Sequence, residues 1–151
     1  MALTIRILRA GDEALLLGAA EGVFDDPVDS ELAREFLSDG RHHVAVGIDD
    51  ERVVAMATGV SYVHPDKDTE MWVNEVGTSP AHRGRGIGKA VVLALLDHAR
   101  RIGCGEAWVL TDRGNGAAMR LYASIGGEEA AVPQVLFTFR LPPADPAAPS
   151  C

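Results

Sequence analysis

Residues 82–90 read HRGRGIGKA and place three glycines among three strongly basic side chains, just before a long apolar run. Glycine lets the backbone approach a bound group closely, and the first N–H groups of a helix are unpaired and attract anions. Arginine and lysine add positive charge around such a position. The stretch therefore predicts a loop that binds a phosphate-bearing ligand at the start of a helix.

Two common phosphate-binding motifs do not match this loop. A Walker A loop has four residues between its first glycine and a Gly-Lys pair, and then Ser or Thr. Here three residues separate Gly84 from Gly88, and Ala90 follows Lys89. A dinucleotide fingerprint needs glycine at position 89 and an acidic residue near the end of the next strand, where Thr111 stands. The pattern that fits residues 83–88 is R-x-x-G-x-G.

A second motif follows downstream, because residues 115–127 read NGAAMRLYASIGG. The loop and this stretch resemble the acyl-CoA pyrophosphate loop and the N-x-x-A-x-x-L-Y-x-x-x-G-F helix of the GNAT family of N-acetyltransferases. The resemblance covers about residues 5–140. One departure is the pair Gly126-Gly127, which stands where the family has Gly-Phe.

The resemblance implies acetyl-CoA as the co-substrate and assigns residues to it. The strand before the loop pairs through its backbone with the pantetheine arm in that family, at positions matching Val76 and Thr78. Asn115 matches a position that contacts the arm, and Tyr122 matches a tyrosine whose hydroxyl faces the thioester sulfur. The predicted cofactor-binding residues are Val76, Gly77, Thr78, Arg83, Gly84, Arg85, Gly86, Ile87, Gly88, Lys89 and Asn115.

Glu75 is the candidate general base for this chemistry. An amine attacks a thioester only when neutral, yet alkyl amines are mostly protonated at neutral pH. A carboxylate within direct or one-water reach can remove the proton. Glu75 lies on the strand predicted to hold the cofactor, and regular alternation would place it on the face of Met71 and Val73. Glu75 and Tyr122 are the predicted catalytic residues.

Acidic residues in loops suggest a cationic acceptor. The chain is similar to the aminoglycoside 3-N-acetyltransferase subgroup in residues 23–26 (VFDD), in the acid at position 75 and in residues 121–129 (LYASIGGEE). That likeness implies a primary amine on a polycationic molecule, most favourably an aminoglycoside at its 3-N position. Further acids precede the cofactor strand at Asp66 and Asp68. The predicted substrate-binding residues are Asp25, Asp26, Glu70, Glu128 and Glu129.

Other functions remain open at this point. The same chemistry would serve a polyamine, an amino acid or a protein N-terminus as acceptor. A non-catalytic acyl-CoA-binding homologue is the alternative from another class. The pattern of His and Cys residues indicates no metal site.

The elements that must position these residues form one mixed α/β domain over residues 1–141. Alternating patterns predict strands at residues 3–8, 42–48, 52–63, 70–80, 106–111 and 133–141, and helical periodicity predicts helices at 10–24, from Ser30, at 87–102 and at 115–127. The resemblance implies a mostly antiparallel sheet that splays at the acetyl-CoA site, flanked by about four helices. Residues 142–151 are Pro- and Ala-rich and are predicted to be a disordered tail.

The composition limits the kinds of partner and the cellular compartment that are expected for the chain. The net charge of −8 argues against nucleic acid and suits a cationic ligand. The absence of an apolar run of about 18 residues argues against a membrane partner. Two cysteines give no disulfide framework, and a cytoplasmic location is expected. Sheet edges often pair in the family that the chain resembles, so a homodimer is a further expectation.

Overall fold

A computed structural model describes residues 2–147, which form a single twisted sheet with helices on both faces. The five strands lie in sequence order across the sheet. Neighbours are antiparallel from β1 to β4, and β5 is parallel to β4. The strands are β1 (Thr4–Ile7), β2 (His42–Asp49), β3 (Arg52–Tyr62), β4 (Glu70–Thr78) and β5 (Glu106–Val109). The helices are α1 (Glu13–Leu17), α2 (Ser30–Ser38), α3 (Ile87–Arg101) and α4 (Gly116–Ser124). The predicted mixed α/β fold is confirmed.

The sheet separates two apolar clusters. On one face α3 buries Ile87, Val91 and Leu95 against the small and apolar residues of β2, β3 and β4. Their i, i+4 spacing is the apolar stripe that predicted this helix. On the other face α1 and α2 cover a cluster that consists of Leu8, Leu16, Val23, Ala33, Val44, Val46, Val53 and Met56. The two faces therefore have separate cores.

A chain of polar side chains lies within the α3 face. His43 is only 9% exposed, and its Nε2 atom lies 2.8 Å from Ser61 Oγ. Its Nδ1 atom lies 3.0 Å from Nε2 of His98 on α3. Burial, and then the charge of His98, lower the pKa of His43 from 6.5 to about 4. Burial also lowers the pKa of His98 below its usual value, so both rings favour the neutral form at pH 7.

The turn between β2 and β3 has two consecutive residues in the left-handed region. Asp50 has φ 49° and Glu51 has φ 63°, the pattern of a type I′ hairpin turn, which favours Asn-Gly. Non-glycine residues there cost backbone energy. The turn brings Asp49 to the end of β2, close to the glycine loop.

Two predicted elements and one helix cap differ in the structure. The predicted helix at 10–24 is only the five residues of α1. The second helix begins at Ser30 as predicted, but the sequence favours Ser30 as its cap, whereas Asp29 caps α2 because the Asp29 side chain accepts hydrogen bonds from the N–H groups of Glu31 and Leu32. The predicted strand at 133–141 is wrong as a paired element, because residues 126–147 are all exposed and the segment after 127 forms no helix or strand. A strand needs a partner, and within residues 2–147 nothing pairs with this segment.

Two remaining expectations concern the ends of the chain and membranes. Residues 148–151 of the predicted tail lie outside the described residues. Within the part that is described, no helix combines the length and the apolar character needed to cross a membrane.

Candidate active site

The glycine loop forms the start of α3. After a short 3-10 turn at Pro80–His82, Gly84 and Gly86 adopt φ +73° and +76°, which only glycine takes readily. Gly86 is the N-cap of α3 and supplies no side-chain cap. Among residues 2–147, no acceptor is hydrogen-bonded to the backbone N–H groups of Gly86, Ile87 or Gly88. These groups can therefore bind an anion.

The basic residues of the loop divide into two sets. Arg83 and Lys89 line a large cavity in front of the loop. Arg85 does not line this cavity; its side chain is half exposed, and its Nη1 atom lies 3.7 Å from Asp49 Oδ2. His82 Nε2 lies 3.4 Å from the same carboxylate oxygen, and its Nδ1 lies 3.2 Å from Ser79 Oγ. Asp49 therefore anchors the loop through Arg85 and His82.

The large cavity, about 1160 Å³, lies where β4 and β5 separate. The two strands pair only from Glu70 to Val73, opposite Glu106 to Val109, while β4 continues to Thr78. Beyond that point the edge of β4 faces the cavity, and unpaired strand edges can pair with an extended ligand. The cavity brings together Glu75, Val76, Gly77, Thr78, Arg83, Gly84, Gly86, Ile87, Gly88, Lys89, Asn115, Tyr122 and Asp25 of the predicted site.

Gly77 permits a close approach between β4 and the segment that joins α1 to α2. A Cβ atom at Gly77 would lie 2.1 Å from the carbonyl oxygen of Val23. No side chain fits there. The contact fixes the Val23–Asp26 segment beside the part of β4 that faces the cavity.

The position of Glu75 differs from the expected one because β4 contains a bulge. Thr58 is opposite Glu75 and Gly59 is opposite Val73, so Asn74 is an extra residue in β4. The alternation is therefore shifted by one after Val73. Val76 packs with the α3 cluster, whereas Glu75 lines a cavity on the face of α1 and α2. The expectation that Glu75 shares the face of Met71 and Val73 is wrong.

This second cavity, about 330 Å³, adjoins the first. Asp25 and Glu75 line both, and Asp26 lines the second. The rest of the wall is largely apolar, formed by Leu16, Phe24, Pro27, Val28, Leu32, Ala33, Phe36 and Val44. The arrangement places carboxylates between a large cavity with basic groups at its loop and a small apolar one.

Two residues of the second motif lie on the far wall of the large cavity. Burial raises the pKa of the Tyr122 phenol, so the hydroxyl stays protonated at neutral pH and can donate a hydrogen bond. Asn115 Oδ1 accepts a hydrogen bond of 3.1 Å from the Ala118 N–H and thereby caps α4. Asn115 thus has a structural role in addition to facing the cavity.

Other predicted acids lie outside both cavities. Glu70 is paired with His64, and its Oε2 atom lies 3.4 Å from Lys67 Nζ. Glu129 Oε1 lies 2.8 Å from Arg113 Nη1, and Glu128 is exposed. The structure therefore brings together three of the acids, Asp25, Asp26 and Glu75.

Sequence reasoning missed the wall that follows β5. Leu110, Thr111 and Asp112 line the large cavity. Polar residues directly after a predicted strand were the signal available for this wall, because ligands commonly bind at the carboxyl ends of strands.

The chain matches the family model "Acetyltransferase (GNAT) family" over residues 13–126. It is 33% identical over 105 residues to the N-alpha-acetyltransferase RimI of Mycobacterium tuberculosis. The match covers 69% of this chain and 63% of that relative. The chain spans less than two thirds of the length of each of the first three curated relatives that it matches.

Solved structures show the same fold. An aminoglycoside acetyltransferase, meta-AAC0020 from an uncultured soil metagenomic sample, in complex with sisomicin, superimposes with a TM-score of 0.75. It is 20% identical, and the match covers 91% of this chain and 97% of that one. The aminoglycoside N-acetyltransferase AAC(6')-Iy in complex with CoA gives a TM-score of 0.70 at 20% identity, covering 92% and 95% of the two chains.

Proposed function

The chain belongs to the acetyltransferase (GNAT) family, and from that premise we propose that it transfers an acetyl group from acetyl-CoA to a primary amine. The observation that carries the proposal is the position of Glu75, which lines both cavities. A group placed there can reach an amine in the small cavity and a thioester in the large one.

The large cavity fits acetyl-CoA in its chemistry. The free N–H groups of Gly86, Ile87 and Gly88, with Arg83 and Lys89 nearby, suit a diphosphate. The open edge of β4 from Asn74 to Thr78 suits the amide-bearing arm. Acetyl-CoA supplies the activated acetyl group as a thioester. Every other contribution comes from the backbone and the side chains of the chain itself.

Glu75 and Tyr122 divide the proton transfers. Glu75 takes the proton of the ammonium group, directly or through one water, and leaves a neutral amine. The Tyr122 hydroxyl, held protonated, donates a hydrogen bond to the sulfur as the thiolate leaves. Both residues line the large cavity, where the amine and the thioester must meet for the acetyl group to be transferred.

For the acceptor we propose a polycationic small molecule, an aminoglycoside acetylated at its 3-N position. The carboxylates of Asp25, Asp26 and Glu75 would attract a cationic group of the acceptor to the mouth of the small cavity. The likeness of residues 23–26 and 121–129 to the 3-N subgroup supports acetylation at the 3-N position of the acceptor.

The apolar wall of the small cavity favours a second acceptor class. Phe24, Phe36 and Val44 suit an amine on an apolar body, such as the α-amine of a peptide whose first side chain enters the cavity. The RimI relative is named for that kind of reaction. Polyamines and free amino acids are the remaining candidates.

A thiol-release assay with acetyl-CoA tests these proposals against a gentamicin-type drug, spermidine, an amino acid and a short peptide. Glu75→Gln should lower kcat by about 100-fold or more on the true acceptor. Glu35→Gln, an exposed acid of α2 that lines neither cavity, is the matched control and should leave kcat unchanged.

Each outcome separates the candidates. Turnover of the drug, with a KM that rises steeply with salt, supports the polycation. Turnover of the peptide alone overturns the aminoglycoside as the acceptor and leaves the acetyltransferase proposal standing. Acetyl-CoA binding without turnover of any amine indicates a non-catalytic homologue, and full activity of Glu75→Gln removes Glu75 as the base.

A further inference from the structure

Thr58 is a polar residue in a largely apolar part of the small cavity. Only 6% of its surface is exposed. Val44 lies opposite it on β2, and Leu16 and Phe36 line the same cavity. A hydroxyl group that is removed from water destabilises the fold unless it is hydrogen-bonded. Valine has nearly the same shape and would suit this wall, so packing alone does not require a threonine.

The Thr58 hydroxyl is hydrogen-bonded to the backbone of Glu75. Its Oγ1 atom accepts a hydrogen bond of 3.1 Å from the Glu75 N–H. Thr58 on β3 lies directly opposite Glu75 on β4, and both residues line the small cavity. A valine could not accept this bond, because its side chain has no polar atom. The hydroxyl therefore connects β3 to the residue that carries the candidate base.

This hydrogen bond lies at the bulge in β4. The register between β3 and β4 shifts between Thr58 and Gly59, which leaves Asn74 as the extra residue. A Cβ atom at Gly59 would lie 2.6 Å from Met71 Sδ and 3.2 Å from the Trp72 carbonyl oxygen, so glycine permits the close approach of β4 before the bulge. A bulge interrupts the regular ladder and lets the strand bend. The Thr58 hydroxyl supplies a contact to β4 just after this interruption.

We infer that Thr58 is a positioning residue for the acetyl transfer, because its hydroxyl fixes the Glu75 backbone and thereby the location of the carboxylate between the two cavities. The inference rests on the proposed function, in which Glu75 is the general base. Thr58 acts through Glu75 and takes no part in the proton transfers. A displacement of about 1 Å can cost on the order of 100-fold in rate. Loss of one of the contacts that hold the base should cost less, about 10-fold.

Steady-state kinetics of three variants test the inference. Thr58→Val should lower kcat about 10-fold and leave the acetyl-CoA KM nearly unchanged, because Thr58 does not line the large cavity. Thr58→Ser keeps the hydroxyl and should restore most of the rate. Ser61→Ala is the matched control, since Ser61 lies on the same strand and its hydroxyl contacts His43 on the opposite face. The control should keep the natural kcat.

A double-mutant cycle with Glu75→Gln shows whether Thr58 acts through Glu75. The acceptor is the drug, spermidine, amino acid or peptide that the natural chain acetylates most rapidly. Thr58→Val should have little further effect in the Glu75→Gln background. An equal loss in both backgrounds overturns the inference and leaves Glu75 as the base. Full activity of Glu75→Gln alone, or acetylation of no amine by the natural chain, contradicts the proposed function first and removes the inference with it.

Amide hydrogen exchange, measured by NMR, tests the hydrogen bond without any turnover. The Glu75 N–H should exchange at least about 10-fold faster in Thr58→Val than in the natural chain, whereas Thr58→Ser should retain the protection. Unchanged amides in α3 show that the variant is folded. An unchanged Glu75 amide overturns the inference. A faster Glu75 amide with a natural kcat overturns it as well, because the contact would then not position the base.

Discussion

Replacing Gly77 by alanine should disturb β4 and the Val23–Asp26 segment together. The new Cβ would lie 2.1 Å from the Val23 carbonyl oxygen, whereas carbon–oxygen contacts normally begin at about 3.3 Å. The backbones must therefore separate by roughly 1.2 Å. Val23 is 2% exposed and belongs to the cluster beneath α1 and α2, so this movement cannot be absorbed at the surface.

The expected size of the effect follows from that displacement. Overpacking in a well-packed region costs about 1–3 kcal/mol, and we expect the upper end because backbone is opposed to backbone. For a chain of 151 residues this lowers the Tm by about 6–12 °C. Asp25 follows Val23 closely, and a misplacement of about 1 Å can cost on the order of 100-fold in rate.

Thermal and urea denaturation, together with steady-state kinetics, measure the two effects. Gly40→Ala is the matched control, since a Cβ at Gly40 meets nothing within 4 Å. We expect the control to retain its unfolding free energy and kcat/KM. If Gly77→Ala unfolds within about 2 °C of the natural sequence and turns over normally, the contact between β4 and Val23 does not exist as described.

Three further predictions concern the loop, the phenol and pH. Gly86→Val should reduce acetyl-CoA binding, measured by calorimetry, by at least about 100-fold, because φ +76° is strained for valine and its side chain would enter the cavity; near-normal affinity would remove the loop from the cofactor site. Tyr122→Phe should lower kcat about 10- to 100-fold with little change in the acetyl-CoA KM, and unchanged turnover would leave Tyr122 a packing role alone. Because the folded-state pKa of His43 is lowered to about 4 from 6.5, the folded protein disfavours the protonated ring. The contribution of His43 to the free energy of unfolding has its full value above pH 6.5. It decreases as the pH falls toward 4, by up to about 3 kcal/mol. Urea titrations at pH 7.0 and 4.5 should show this loss, and His43→Gln should flatten it.

Local patterns predicted the elements that depend on local chemistry. The stripe of α3 and the glycine loop before it follow from helix periodicity and from the conformational freedom of Gly84 and Gly86. The predicted helix at 115–127 corresponds to α4, which begins after Asn115 because the Asn115 side chain caps it. These features need no knowledge of distant residues.

Features that depend on distant partners were not predictable in the same way. Arg85 Nη1 lies 3.7 Å from Oδ2 of Asp49, 36 positions earlier in the chain, and residue type alone did not predict this contact. The face of Glu75 depends on how β4 pairs with β3 around Asn74. Residues 133–141 carry a strand pattern, but the pattern alone does not supply a partner, and nothing pairs with this segment within residues 2–147.

The extra residue at Asn74 has a consequence for how such chains diverge. Side chains on a strand alternate with a period of two, so the location of the carboxylate is a question of parity. Loss of the Asn74 codon would make Val73 and Glu75 neighbours, and regular alternation would then leave Glu75 opposite Thr58, on the face of α1 and α2. A related chain without the extra residue would therefore carry the structural counterpart of Glu75 directly after its counterpart of Val73. Alignments of related chains should place a one-residue gap at Asn74, because an alignment without the gap would match Glu75 with a residue of the opposite face.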